Sequence, residues 1–278
     1  EVTGPVEVDG IVFDSENIRD ALQFEVSFGY EGRGLEKDER KEIVGKLTEE
    51  IFNELLTLPI TKWPELFDLV QRNVEEGQIA LYSTDEKTQK LFEDQGWAGT
   101  IDYRQGQDLM MVVDSNMVAR KTDPYVERSI TYTIQPEERE LEGGGKETVY
   151  AATVEATYQH TGNFTLTESR YRDYVRLYAP SGARLTSYTG FMQNDPINDP
   201  EGAPGTVTIE EESGMQVFGG FFSLEPGETK TITWTYDLPV DITESIADGR
   251  YVLIAPKQLG AFQKNLYLNL LFDAKVKS

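Results

Sequence analysis

The sequence predicts an α+β protein in two parts: a mixed α/β portion over residues 1–122 and an antiparallel β-sandwich over residues 123–278. Three observations carry this. In the first part apolar residues recur at three- and four-residue spacing, the period of a helix with one buried face. After Asp123-Pro124 the rhythm changes to a period of two, in runs rich in Thr, Val and Tyr that suit half-buried strands. Those runs follow at short intervals with no strong helical pattern between them, as in stacked sheets. A length of 278 residues exceeds what one core usually fills, which favours two domains.

Residues 6–13 alternate apolar and polar around Asp9-Gly10 and predict a short strand or hairpin. The stretch Asp14-Ser15-Glu16-Asn17 predicts a helix entry ahead of Ile18, Leu22 and Val26. The glycine-rich segment Gly29-Tyr30-Glu31-Gly32-Arg33-Gly34 lacks the Lys-Ser/Thr of a phosphate loop and the dinucleotide glycine spacing, so a flexible connector is expected. From Lys37 to Leu58, the residues Ile43, Leu47, Ile51, Leu55 and Leu58 share one face and predict the clearest helix. Pro59 should end it, because its ring clashes with the preceding turn. A second helix carries Trp63, Leu66, Phe67, Val70 and Val74, with Pro64 in the first turn where a missing N–H costs little, and Gly77 breaks it. Ile79-Ala80-Leu81-Tyr82 is expected as a strand. Ser83-Thr84-Asp85-Glu86 suggests a capping box opening a helix to Gln95, with Gly96 as its left-handed cap. Leu109-Met110-Met111-Val112-Val113 predicts a buried strand.

In the second part, Val126, Arg128, Ile130, Tyr132 and Ile134 belong to one strand, and residues 148–158 to another. Residues 174–179 and 184–188 form a further pair joined by the turn Pro180-Ser181-Gly182. Strands are also expected at 206–211, 215–224, 229–236, 250–255 and 264–272. In the run from Thr231 to Tyr236 every second residue is large and apolar, which sends Ile232, Trp234 and Tyr236 to a core and the threonines to water. Residues 137–146 are expected to be a mobile hairpin loop, and residues 194–205, with three prolines, a longer loop.

Composition removes whole classes of chemistry. Without cysteine there are no disulfides, thiolate nucleophiles, zinc–thiolate sites or iron–sulfur clusters. With His160 as the single histidine, multi-histidine metal sites are impossible, and His160 at a strand end is expected to be structural or solvent-facing rather than catalytic. A net charge of −23, acidic on both sides of residue 122, opposes binding to nucleic acid or to anionic lipid. No apolar run is long enough to span a membrane. The chain begins at Glu1, so an excised or processed piece is expected, with any anchor upstream.

The candidate metal site is the loop around Asp195, Asn198, Asp199 and Glu201, since calcium takes several closely spaced oxygen ligands. Asn, Asp and Pro are also ordinary turn residues. The stretch Arg170-Tyr171-Arg172-Asp173-Tyr174-Val175-Arg176 suits an anionic or carbohydrate ligand, but on a strand its side chains divide between two faces, which favours packing. No catalytic residue and no organic cofactor are assigned. Glu49-Glu50 and Glu75-Glu76 are adjacent on helices and do not face each other.

Ordered blocks across the chain resemble the bacterial cell-surface family known as domain of unknown function 4012. They are Val2-Thr3-Gly4-Pro5-Val6-Glu7-Val8 with Asn17, the segment from Phe24 to Tyr30, Leu81-Tyr82-Ser83 and Gly96-Trp97-Ala98-Gly99. Val112-Val113-Asp114-Ser115-Asn116, Lys121, Asp123-Pro124-Tyr125-Val126, Tyr174-Val175-Arg176-Leu177-Tyr178, Glu225-Pro226-Gly227-Glu228 and Lys257-Gln258-Leu259-Gly260 continue the match. The Gly-Pro-Val block and the helices after it are distantly similar to the end of the LytR-CpsA-Psr module, whose enzymes attach glycopolymers to peptidoglycan. The resemblance implies a truncated LytR-CpsA-Psr-like first part, an upstream membrane helix and an extracytoplasmic location; the strand runs of the second part are expected to form an immunoglobulin-like sandwich. It carries over no catalytic residue, because the arginine and aspartate cluster of that module would lie before Glu1.

The function expected is a non-catalytic extracytoplasmic cell-surface module, an envelope-associated binding or spacer domain whose partner is a cell-envelope glycan or a surface protein. The alternative is a fragment of a glycopolymer-handling transferase with its catalytic part missing; a glycan hydrolase using two carboxylates comes third. A binding module predicts an open surface or groove among the sandwich loops with no cluster of ionisable groups of displaced pKa. The transferase predicts a deep apolar channel lined by arginines in the first part.

Overall fold

The computed structural model describes residues 2–117, 121–140, 143–165, 168–261 and 263–272. The chain is a mixed α+β protein, with N-terminal helices followed by mostly antiparallel sheets. It divides into two compact units, Glu1–Glu76 and Gly77–Ser278.

The first unit opens with the expected hairpin, β1 (Val6–Val8) antiparallel to β2 (Ile11–Phe13). Asp9 and Gly10 both take positive φ at the turn, 51° and 79°, the geometry that lets a two-residue turn match strand twist. Asp14 Oδ1 accepts the Glu16 and Asn17 amides, turning the chain into α1 (Ile18–Phe24). The glycine-rich segment is no loose connector: a wide helical turn over Glu25–Gly29 leads into α2 (Tyr30–Gly32), and the chain leaves the helix only at Gly34. The two strong helices are α3 (Glu42–Thr57) and α4 (Trp63–Glu75), separated at Pro59, with Pro64 in the first turn of α4. Ile43 and Leu47 of α3 bury against Val6, Val8 and Phe13.

The second unit begins with residues expected to belong to the first. Ile79 to Tyr82 form no strand; Leu81 N–H donates to Trp97 O at 2.8 Å, and no neighbouring strand pairs with the segment. The helix α5 (Glu86–Asp94) is capped by Asp85, which accepts the Thr88 amide at 2.9 Å, rather than by Ser83; Gly96 ends it at φ 72°. Then come β3 (Asp108–Leu109) and β4 (Met111–Val113). The sequence boundary at 122 follows the change of hydrophobic period, whereas the division of the fold lies at 76/77. The two differ because α5 and the short strands after it belong to the β-rich unit.

Two sheets make up most of that unit. The strands are β5 (Val126–Glu140), β6 (Lys146–His160), β7 (Tyr171–Ala179), β8 (Arg184–Thr189), β9 (Thr208–Glu212), β10 (Met215–Leu224) and β11 (Thr229–Asp237). After α6 (Val240–Ala247) the chain adds β12 (Leu253–Ile254) and β13 (Gln263–Leu270). The sheet orders are β4-β7-β10-β9 and β13-β5-β6-β11-β8. One hydrophobic core takes Val175, Leu177, Phe218 and Phe222 from the first sheet and Tyr132, Val154, Tyr158, Ile232 and Trp234 from the second. Across it the Tyr158 and Phe222 rings lie 4.7 Å apart, and Phe218 and Tyr236 5.7 Å. The outward threonines form their own pairs, Thr157 with Thr231 at 2.9 Å and Thr153 with Thr235 at 3.3 Å.

Five features depart from expectation. The strands β7 and β8 do not pair; their Pro180–Gly182 turn carries the chain from one sheet to the other. Pairing is not wholly antiparallel, since β13 runs parallel to β5 and β12 parallel to β3. A helix, α6, interrupts the strands, burying Ile242 and Ile246 one turn apart after Pro239. Residues 137–140 are strand, not loop, in register with residues 146–149; Leu141 and Glu142 lie outside the described residues. The strand expected at 250–255 contracts to the two residues of β12.

Candidate functional site

A cavity of about 360 Å³ opens in the second unit where β5, β6 and β7 begin or end. Its polar floor is assembled by pairing. Arg128 on β5 stands opposite Tyr158 on β6, and both point inward in the alternating phase of their strands. Asp114 follows β4, and Tyr171 enters from β7, with Asp173 buried behind it outside the lining. Arg128, 2% exposed, donates from Nη1 to Asp114 Oδ2 at 2.5 Å and to Val112 O at 3.2 Å, and from Nη2 to Gln263 at 3.4 Å. The Tyr158 hydroxyl donates to Asp114 Oδ1 at 2.7 Å. Tyr171 OH donates to Asp173 Oδ1 at 3.3 Å.

The wall facing this floor is the segment Gln258 to Ala261. The Gln258 side chain accepts the Asp114 amide at 2.8 Å and donates to the Asp114 carbonyl at 3.0 Å, as a neighbouring strand would. Pro124 and Val126 line the side, and Asp123 sits at the rim with its carboxylate accepting from Asn116 at 2.9 Å.

Burial raises both aspartates. In Asp114 the Arg128 charge and the Tyr158 hydroxyl oppose that effect; in Asp173 the Asp114 charge adds to it and pushes the group well above the carboxylate range. Of the two, Asp114 has the stronger opposing contacts and Asp173 the larger rise. Burial, then the nearby carboxylates, also drive Tyr158 and Tyr171 upward, so both stay neutral donors. The sequence reading expected no such cluster. The physical reason for its presence is that a charge placed in the inward phase of a strand must find a partner.

With both oxygens of Asp114 engaged, the floor offers a fixed pattern of hydrogen-bonding groups rather than a free base. Among the described residues, no three His, Cys, Asp or Glu side chains converge as metal ligands.

The sequence-selected residues lie elsewhere. Asp195 is buried and accepts from Arg172 Nε at 2.9 Å, Asn198 Nδ2 at 2.7 Å and the Ile197 amide at 2.9 Å. Burial opposes its charge, but these hydrogen bonds outweigh it and hold the carboxyl below its usual range. Asn198 thus meets Asp195 as a donor, Asp199 accepts the Ala203 amide at 2.7 Å, and Glu201 is exposed. In this geometry the loop closes on itself and on Arg172. The arginines of the basic–aromatic stretch are all paired, Arg170 with Glu225, Arg172 with Asp195 and Arg176 with Glu212, while Tyr171, Asp173 and Val175 face inward. His160 is buried; it accepts the Gly162 amide at Nδ1, 3.1 Å, so Nε2 donates to Ser169 O at 2.8 Å.

Two further features bear on function. Buried Asp108 accepts from Tyr251 OH at 2.5 Å, Tyr132 OH at 2.7 Å and the Leu109 amide at 2.8 Å, and Tyr236 OH donates to Tyr132 OH at 3.2 Å. Burial pushes Asp108 up to about 6, with those hydrogen bonds opposing it. In the first unit, a separate cavity of about 270 Å³ is lined by apolar residues such as Phe13, Leu47, Ile51 and Leu66, with no arginine among its lining. It lacks the anion-pairing groups that a pyrophosphate-handling channel needs.

Among the described residues, no helix is long and apolar enough to cross a membrane. No family model, curated protein or solved structure matches the chain.

Proposed function

We propose that this chain is a non-catalytic binding or spacer module of the extracytoplasmic cell surface, part of a larger membrane-anchored protein, whose second unit is an immunoglobulin-like sandwich. The observation that carries the non-catalytic reading is the state of Asp114. It lies at the floor of the cavity, yet Arg128 and Tyr158 occupy both its oxygens. A carboxylate whose two oxygens are both engaged recognises and orients, and turns no free oxygen towards a substrate proton. The convergence of distant blocks supports a binding role: Asp114, Asp123-Pro124 and Gln258-Leu259-Gly260 meet around one cavity although they are far apart in sequence. These are blocks on which the resemblance to the cell-surface family rests.

The test is co-sedimentation of the purified chain with isolated cell-wall sacculi, with the supernatant assayed for released reducing ends. Binding without release of sugar is expected. Release that grows with chain concentration would replace this reading with the hydrolase one, and absence of binding would remove the recognition role.

A further inference from the structure

The charge pattern of the cavity narrows the chemistry of what it holds. Its floor carries one cation, Arg128, already neutralised by Asp114, and its rim carries Asp123. An anionic ligand would meet two carboxylates and no unpaired cation. A cationic ligand would find Arg128 and Asp114 already paired and only the exposed Asp123 carboxylate, bonded to Asn116, to meet it, a pairing worth little in solvent. A wholly apolar ligand would leave the floor's polar groups without solvent. A neutral group bearing several hydroxyls fits each constraint, because a hydroxyl both donates and accepts. The Asp114 side chain, 17% exposed, is the part of the floor that a hydroxyl reaches, with Arg128 Nε buried beneath it. The walls of Pro124, Val126, Leu259 and Ala261 are apolar and suit the C–H face of a ring. The volume, about 360 Å³, is near the lower end of ligand pockets, roughly 300–1,000 Å³, which limits the occupant to a single small ring.

We propose that the cavity bounded by Asp114, Arg128, Asp123 and the Gln258–Ala261 wall binds one neutral sugar ring, with its hydroxyls on the Asp114–Arg128 floor and its C–H face on Pro124, Val126 and Leu259. This rests on the binding-module reading and assigns it a site and a ligand class.

Three ring-matched probes test it by ligand-observed NMR titration of the whole chain: D-glucose, cationic D-glucosamine and anionic D-glucuronate. Glucose should bind, and each charged probe should bind at least about fivefold more weakly, about 1 kcal/mol. Ala261→Phe, which fills the wall, should weaken glucose binding at least about tenfold with an unchanged melting temperature. Should that variant fail to fold, Asp123→Asn at the exposed rim should lower glucose affinity severalfold without loss of stability. Equal or tighter binding of a charged probe would overturn the proposal, as would glucose binding that neither variant affects. If no probe binds while the chain still co-sediments with sacculi, this inference falls and the binding module stands; if co-sedimentation is lost as well, both fall.

Discussion

Asp108 offers a quantitative test of how the second unit is held together. Its carboxyl has no exposure to solvent and is surrounded by Tyr132, Tyr251 and the Leu109 amide, with no cation in its hydrogen-bond shell. Burial raises it from the ordinary 3.8 to about 6. Because the folded value lies above the unfolded one, the folded state binds the proton more tightly. The associated stability is fully present below about pH 4 and is lost as pH rises through about 6. The gap corresponds to about 3 kcal/mol, at about 1.4 kcal/mol per pH unit. Asp108→Asn keeps the shape and removes the titration. It will carry a constant offset from altered hydrogen bonds to the tyrosines, but no slope of its own. Urea unfolding of both chains, followed by tryptophan emission to which fully buried Trp234 contributes, gives the stability difference at each pH. Between about pH 3.5 and 7.5, the wild type should lose about 3 kcal/mol relative to the variant. A difference that stays flat within about 1 kcal/mol, or that runs the other way, would refute the view that the tyrosine hydroxyls only partly offset the burial of this charge.

Other parts of the fold give sharper single outcomes. Asp195→Ala should cost about 3–5 kcal/mol by urea unfolding, since it strands Arg172 and opens the loop. The wild type's advantage should hold above the ordinary carboxylate range and vanish as pH falls, the opposite sign to Asp108. Melting in calcium and in chelator should coincide, because Arg172 and the loop's own donors occupy Asp195; a calcium-dependent rise would restore the metal site. His160→Phe leaves the buried Gly162 amide without its acceptor and removes the shorter of two hydrogen bonds to the Ser169 carbonyl, Thr122 Oγ1 at 3.5 Å remaining, and should cost about 1–3 kcal/mol, read as a lower melting temperature. Gly220→Ala places a Cβ 2.4 Å from the Phe191 ring and should cost about 1–3 kcal/mol, with Phe191→Leu in the same chain recovering part of it.

Local pattern carried most of the strand and helix content. The period of two put Ile130 and Tyr132 in one strand and sent Ile232, Trp234 and Tyr236 to a core, and all five are buried. It failed where an element is short or its partner remote. The eight residues of α6 show helical spacing only through Ile242 and Ile246. The parallel placement of β13 beside β5 depends on a chain reversal that no local residue encodes.

The site was partly legible, by a signal of a different kind. Arg128 falls in the same phase as Ile130, Tyr132 and Ile134, and Asp173 in the same phase as Tyr171, Val175 and Leu177. Alternation that marks a position as buried also marks any charge there as costly unless paired, so two such charges on neighbouring parts of one fold predict each other's company. The prediction stops at the partner's identity. Asp114 is 14 residues from Arg128 and Gln258 is 144 from Asp114, and only the pairing of β4 with β7 and the return of the chain after β12 bring them together. A charge in the wrong phase of a strand is therefore a better pointer to this cavity than the oxygen-rich loop at Asp195. Turn chemistry already explains that loop; nothing in ordinary strand packing explains an inward-facing arginine.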